Sequence, residues 1–191
     1  MRPYLSWSQL KCFEDSPKEY IERYVYGKQL SNKYIEFGKQ VAQAMEHREE
    51  QHDPAIEILK THFKDFPSRE HKITATVSGV KILSIMDGFD EAKLHIGEYK
   101  TGKSWDKSRV EQDGQLTFYA MAVHAKYKKL PKRITLYWAE TIEDGDQMAL
   151  TGRVEAFETS RSIKDVKAMA DRVGFRWKQI QALIKNELKK V

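Results

Sequence analysis

Apolar residues four apart (Phe37, Val41, Met45) give way near residue 73 to strict apolar–polar alternation, and this change of period divides the chain into elements. Residues 6–26 pattern as two short helices broken at Ser16-Pro17. Ser6 or Ser8 is placed to cap the first, and Pro17 fits the first turn of the second. Residues 34–63 read as helical with a break near Asp53-Pro54. Ile73-Thr74-Ala75-Thr76-Val77 then alternates as a half-buried strand does. Ser78-Gly79 makes a turn, 80–86 the returning strand, and 93–100 a third. A helix over 110–127 follows, then a strand over 133–140, a turn at Glu143-Asp144-Gly145, and a strand over 148–157. The last element is a long helix over 163–189, with a break expected at Gly174. This order predicts one domain, 1–191, an α/β or α+β sandwich with a mixed sheet whose strand order the spacing leaves open.

Composition narrows the function classes. Lys and Arg exceed Asp and Glu by 33 − 28 = 5, which suits a phosphate-bearing partner, although many basic proteins bind no nucleic acid. Cys12 is the only cysteine, so intramolecular disulfides, four-thiolate zinc and four-thiolate iron–sulfur clusters are excluded. No window has the apolar length of a signal peptide or a membrane span, so the expectation is a cytoplasmic protein without membrane contact.

The third strand carries the most chemistry. Alternation places Leu94, Ile96, Glu98 and Lys100 on one face and His95, Gly97, Tyr99 and Thr101 on the other. A face that begins apolar and ends in a carboxylate and an amine runs out of the core into a cleft. The preceding strand ends in Asp87-Gly88-Phe89-Asp90, and a return before Lys93 brings Asp87 beside Glu98. Two carboxylates with the Tyr99 carbonyl make an all-oxygen site suited to Mg²⁺ or Mn²⁺, which activates a phosphodiester and a water. Lys100 stands where it orients or deprotonates that water, or offsets charge on the phosphate. The plainer alternative is a surface Glu-x-Lys ion pair beside an ordinary Asp-Gly turn.

Three runs in order resemble the RecB-type branch of the PD-(D/E)XK nucleases: Ile85-Met86-Asp87-Gly88-Phe89-Asp90, Ile96-Gly97-Glu98-Tyr99-Lys100-Thr101-Gly102 and Gln115-Leu116-Thr117-Phe118-Tyr119. Leu5-Ser6-Trp7-Ser8-Gln9-Leu10, Ser16-Pro17-Lys18-Glu19-Tyr20 and Phe37-Gly38 with Glu46 extend the resemblance over the first two thirds of the chain. It implies an α/β, restriction-endonuclease-like mixed sheet flanked by helices, and a Mg- or Mn-dependent nuclease hydrolysing DNA, of the exonuclease or end-processing kind. It implies Asp87 and Glu98 as metal ligands, Lys100 as the catalytic lysine, and Gln115 and Tyr119 as a helix motif beside the site. Tyr119 also fits an ordinary core position.

Two departures shape these expectations. Many members of that branch carry a histidine ligand four residues after the glycine matched by Gly38, and here Ala42 stands there. Glu46, one turn on, becomes the candidate ligand, a solvated helix glutamate being the alternative; His47 faces elsewhere. Relatives with an iron–sulfur cluster have Cys-Pro where this chain has Ser16-Pro17, so no cluster is expected, and Cys12 reads as a small buried residue. The missing imidazole also motivates a second reading, a catalytically weak or inactive nucleic-acid-binding subunit of a recombination or replication complex. A helicase or recombination partner would be a separate protein, because this chain holds no helicase motif. Lys103, Lys107, Arg109 and Trp105 form a loop that either meets phosphates and an unpaired base or is simply surface. Lys178, Lys185, Lys189 and Lys190 fit a solvated helix face or an extension of a phosphate track.

Overall fold

The computed structural model describes residues 3–189, so Lys190 lies outside the described residues. The first helix, α1 (Trp7–Asp15), is capped by the Ser6 hydroxyl, which accepts the Gln9 N–H. Ser16 caps α2 (Pro17–Tyr20) in the same way through the Glu19 N–H, so the serine at the Cys-Pro position has a structural task of its own. A π-helical turn (Ile21–Val25) continues it. The next helix, α3 (Lys33–Glu46), ends sooner than its pattern predicts. The run from Arg48 to His52 offers no apolar face to bury, and helix resumes only in the single turns α4 (Pro54–Glu57) and α5 (Leu59–His62), with Asp53 as cap.

Five strands follow: β1 (Ser68–Val77), β2 (Val80–Asp90), β3 (His95–Gly102), β4 (Arg133–Asp144) and β5 (Gln147–Thr159). All but β3 outrun their alternating segments, because ladder pairing carries polar stretches such as Ser68-Arg69-Glu70 into the sheet. The expected single helix between β3 and β4 is split into α6 (Lys107–Gln112) and α7 (Gly114–Tyr127). Asp113 forms the joint: its carboxylate accepts the Leu116 N–H, and buried Arg161 donates to the carbonyls of Val110 and Asp113. The β4–β5 turn falls at Gly145-Asp146, with Gly145 left-handed, rather than two residues earlier. The final helix, α8 (Ile163–Leu188), passes through Gly174 unbroken. A Cβ there would stand 3.0 Å from the Ser78 Cβ, so this glycine permits close packing on the β1–β2 turn.

The sheet order is β1-β2-β3-β4-β5, antiparallel except for the β3–β4 pair, which α6 and α7 connect. Helices cover both faces, giving an α/β fold with a mixed central sheet. The first two helices, α7 and α8 contribute to one core with Ile82, Met86, Ile96, Leu136 and Trp138; α3 to α5 contribute to the other with Phe63, Phe66, Tyr99 and Tyr137.

One irregularity positions the chemistry. The central β2–β3 ladder holds only three pairs, Asp90↔His95, Phe89↔Ile96 and Gly88↔Gly97, and then the strands part. Leu5 occupies the freed edge of β2, donating its N–H to Lys81 and accepting from Leu83. Gly88 and Gly97 form the last pair before the fork, and the Phe66 side chain lies against both. A Cβ on either would approach that ring to 2.3 Å. Gly97→Ala should therefore cost about 2 kcal/mol by overpacking, lowering the thermal midpoint by roughly 4–8 °C. An unchanged midpoint would mean that Phe66 is not held against the strand pair.

Candidate active site

Asp87 and Glu98 are the first residues beyond the last β2–β3 pair, so they face each other across the mouth of the fork. Asp87, partly exposed, accepts the Tyr99 N–H at 2.7 Å, which fixes its carboxylate against β3. Glu98 is 1 % exposed. Lys100, two residues on and so on the same face, donates to Glu98 Oε1 at 2.5 Å and to Gln115 Oε1 at 2.9 Å. Gln115 in turn donates through Nε2 to the Tyr119 hydroxyl at 2.6 Å. The i, i+4 spacing on α7 thus fastens the lysine to the helix. Gln115 can do this because α7 begins at Gly114, which sits against Trp7 of α1 where a Cβ would collide at 2.3 Å.

Glu98 Oε2 is buried and has no hydrogen-bond partner among the described residues. Asp87 and the Tyr119 hydroxyl lie beside the Glu98 carboxylate, near enough for each to be shifted by it. A buried unpaired carboxylate oxygen is costly unless something else meets it. Burial, and then the charge of Asp87, push Glu98 up to about 8 despite Lys100. Asp87 is raised as well, by burial first and also by the charge of Glu70, against the pull of Lys100 and the Tyr99 N–H. Burial works to lower Lys100, but Glu98 and Asp87 outweigh it and the amine is raised. Beside these acids Lys100 carries its proton and presents an ammonium to the fork. The Tyr119 hydroxyl is raised far up by burial and the same two acids, so it stays neutral.

The donor set fits a hard divalent cation, since it supplies carboxylate oxygens, one of them buried and unpaired, in a strongly negative field. As placed, no three Asp, Glu, His or Cys groups among the described residues stand near enough together to hold a metal ion. Glu46 is exposed at the end of α3, and its carboxylate lies 3.8 Å from His47 Nε2. Its charge acts on Glu70 rather than joining Asp87 and Glu98. The Tyr99 side chain lies on the opposite face, stacked on Phe63, with its hydroxyl donating to the Lys64 carbonyl at 2.6 Å.

The structure ties down most of the loop cations. Lys103 faces Glu143 at 3.5 Å, Lys107 donates to the Glu158 carbonyl, and the Arg109 guanidinium lies 3.9 Å from the Trp105 ring centroid. One face of that ring is therefore covered. Lys178 and Lys185 on α8, and Lys189 just after it, are exposed. Cys12 is buried, as its sequence context predicts. No described helix is long and apolar enough to cross a membrane.

Two acids near the site escape sequence reasoning. Asp113 reaches it as the α6–α7 joint, within the field felt by Glu98 and Lys100. Glu70 lies in β1, three residues before the first alternating stretch, and nothing in the sequence marks its left-handed φ of 47°.

No protein-family model matches the chain, and no curated protein does. Solved structures do. A protein of Eubacterium rectale assigned as an exonuclease superposes with a TM-score of 0.64 at 12% identity, over 97% of this chain and 82% of its own. An alkaline exonuclease of Laribacter hongkongensis gives 0.52 at 13% identity, over 99% and 95%. A phage-related exonuclease from Haemophilus somnus 129PT gives 0.51 at 11% identity, over 93% and 82%. At such identities the likeness concerns the backbone arrangement, and on that ground the chain has the fold of these exonuclease structures.

Proposed function

We propose that this chain is a Mg²⁺- or Mn²⁺-dependent nuclease of the RecB-type PD-(D/E)XK branch, hydrolysing DNA phosphodiester bonds from or near ends. The observation that carries the reading is Lys100, held between Glu98 and Gln115 while the other oxygen of Glu98 stays buried and unpaired. That three proteins sharing the fold are described as exonucleases supports it.

In this reading Asp87 and Glu98 hold the cation, with the Tyr99 carbonyl as a further oxygen donor. When bound, the ion supplies Lewis-acid stabilisation of the charge that builds on the phosphate oxygens. Lys100 presents a fixed ammonium to the same phosphate and keeps its proton at Nζ throughout. Gln115 and Tyr119 hold that ammonium in place, so little reorganisation is needed as the reaction proceeds. Lys103 exchanges Glu143 for a backbone phosphate further along the strand.

The test uses end-labelled linear DNA and covalently closed circular DNA with Mn²⁺. Linear DNA should be degraded, circular DNA spared, and a chelator should stop the reaction. Mn²⁺-dependent retention of DNA without cleavage would instead favour the inactive binding subunit. Cleavage that survives the chelator would remove the metal from the scheme.

A further inference from the structure

Two projections stand past the end of the catalytic strand. Strand β4 pairs Glu140 with Gly102, the last residue of β3, and runs on to Asp144 before the turn at Gly145. The other projection is α8. It sets out after Thr159, which pairs with Ile134 near the start of β4, and so rises from the opposite end of the sheet. Gly174 passes the β1–β2 turn, and the rest of the helix carries Glu187 ~20 Å further along its axis.

One stretch of chain joins the two. Tyr26 donates its hydroxyl to Glu187 at 3.1 Å. Lys33, at the start of α3, donates to Glu143 at 2.9 Å and to the Gly145 carbonyl at 3.2 Å, and Tyr34 bonds the same Glu143. Lys103, directly after β3, faces that carboxylate as well, so this anchor stands beside the exit of the catalytic strand. Every residue from 26 to 32 is exposed. The side-chain bonds of Lys28 to Glu22 and Ser31 to Glu36 belong to the two ends of the stretch. The turn that leads into Tyr26 packs in the core of α7 and α8, whereas α3 packs in the other. The stretch therefore crosses from one face of the sheet to the other beyond Gly102, at the end toward which the β2–β3 fork opens.

We infer that residues 27–32 form a strap across the mouth of the fork, so that a single strand of DNA reaches Lys100 by threading a free end beneath it. Fully extended, a run of this length reaches ~20 Å. An arch of that reach closes around one extended strand and cannot clear a duplex. While both anchors hold, continuous backbone blocks a strand from entering sideways. The need for an end then comes from the closed strap, not from recognition of a terminal phosphate.

This inference rests on the nuclease reading above, and the experiment separates the two. A protease recognition sequence is inserted between Gln29 and Leu30, both exposed, and the protein is assayed with Mn²⁺ before and after the strap is cut. The substrates are linear and circular single-stranded DNA of one sequence. Wild type and the uncut insertion should degrade the linear strand and spare the circle. The cut protein should degrade both, losing the discrimination while its thermal midpoint stays that of the uncut form. A cut protein that degrades linear DNA and still spares circles would overturn the strap and leave the nuclease standing, as would cleavage of circles by wild type. A second measurement needs neither cutting nor catalysis. Lys100→Ala is mixed with linear single-stranded DNA biotinylated at both ends, and streptavidin is added before or after the protein. Capping first should abolish binding, and capping afterwards should hold the complex through a chase with unlabelled strand. Equal binding and equal dissociation in both orders would overturn the strap. Wild type that degrades neither substrate would end the nuclease reading, and the order of addition would still decide the strap. No binding in either order would overturn both.

Discussion

Lys100→Ala should slow DNA hydrolysis by about 10²–10⁴-fold, the range for removing a fixed charge or proton-transfer group from a reacting centre. The structure gives the reason. The ammonium is mostly sheltered, anchored at two points, and raised by the acids beside it, so it is present as a cation near neutral pH. Its loss leaves the carboxylates in place, so Mn²⁺ should still bind by calorimetry while turnover collapses. A Lys100→Ala protein that cleaves at the wild-type rate would end the catalytic assignment. One that loses Mn²⁺ binding along with its fold would show instead that Lys100 holds the fork together.

The second large effect concerns pH in the absence of metal. A carboxyl whose pKa is higher folded than unfolded stabilises the protein fully below its unfolded value and loses that contribution as pH rises through the folded value. For Glu98 the span runs from 4.5 to about 8. Asp87 is shifted in the same direction. Two histidines oppose this lower down. His95, buried and donor-shared with Thr135, is depressed to about 4 chiefly by burial, and His71 is also lowered. Their contribution grows with pH through 6.5, the ordinary histidine value, and is complete about one unit above it. Above that point the raised acids set the slope, Glu98 together with Asp87 and Glu70. Between pH 6.5 and 8 the chelator-treated protein should lose about 1 kcal/mol, a fall of roughly 2–4 °C in thermal midpoint. Mn²⁺ added at pH 8 should restore it, because the cation stabilises the ionised acids. Glu98→Gln should flatten the slope. A slope of equal size in that variant would place its origin elsewhere.

Much of the site is legible in the sequence because it depends on short-range geometry. Strand alternation alone puts Glu98 and Lys100 on one face, and the helical period alone aligns Gln115 with Tyr119. The caps at Ser6 and Ser16 are equally local, each resting on a hydroxyl three residues from the N–H it accepts. Element ends are less legible. Helix α6 parts from α7 because a partner far along the chain decides it, with Arg161 reaching back to Val110 and Asp113. Gly174 illustrates the same limit: read locally it is a helix breaker, but in the fold it is the contact point that lets α8 meet Ser78.

The sequence by itself determined the order of elements, the face shared by Glu98 and Lys100, and the place of Asp87 one strand earlier. Only the tertiary structure decided how these residues meet. The fork depends on where the β2–β3 ladder stops, and that depends on Phe66 covering Gly88 and Gly97 and on Leu5 taking the free edge of β2. The position of Glu70 opposite Asp87 is likewise a matter of cross-strand register, a long-range pairing that no periodicity along one chain segment encodes.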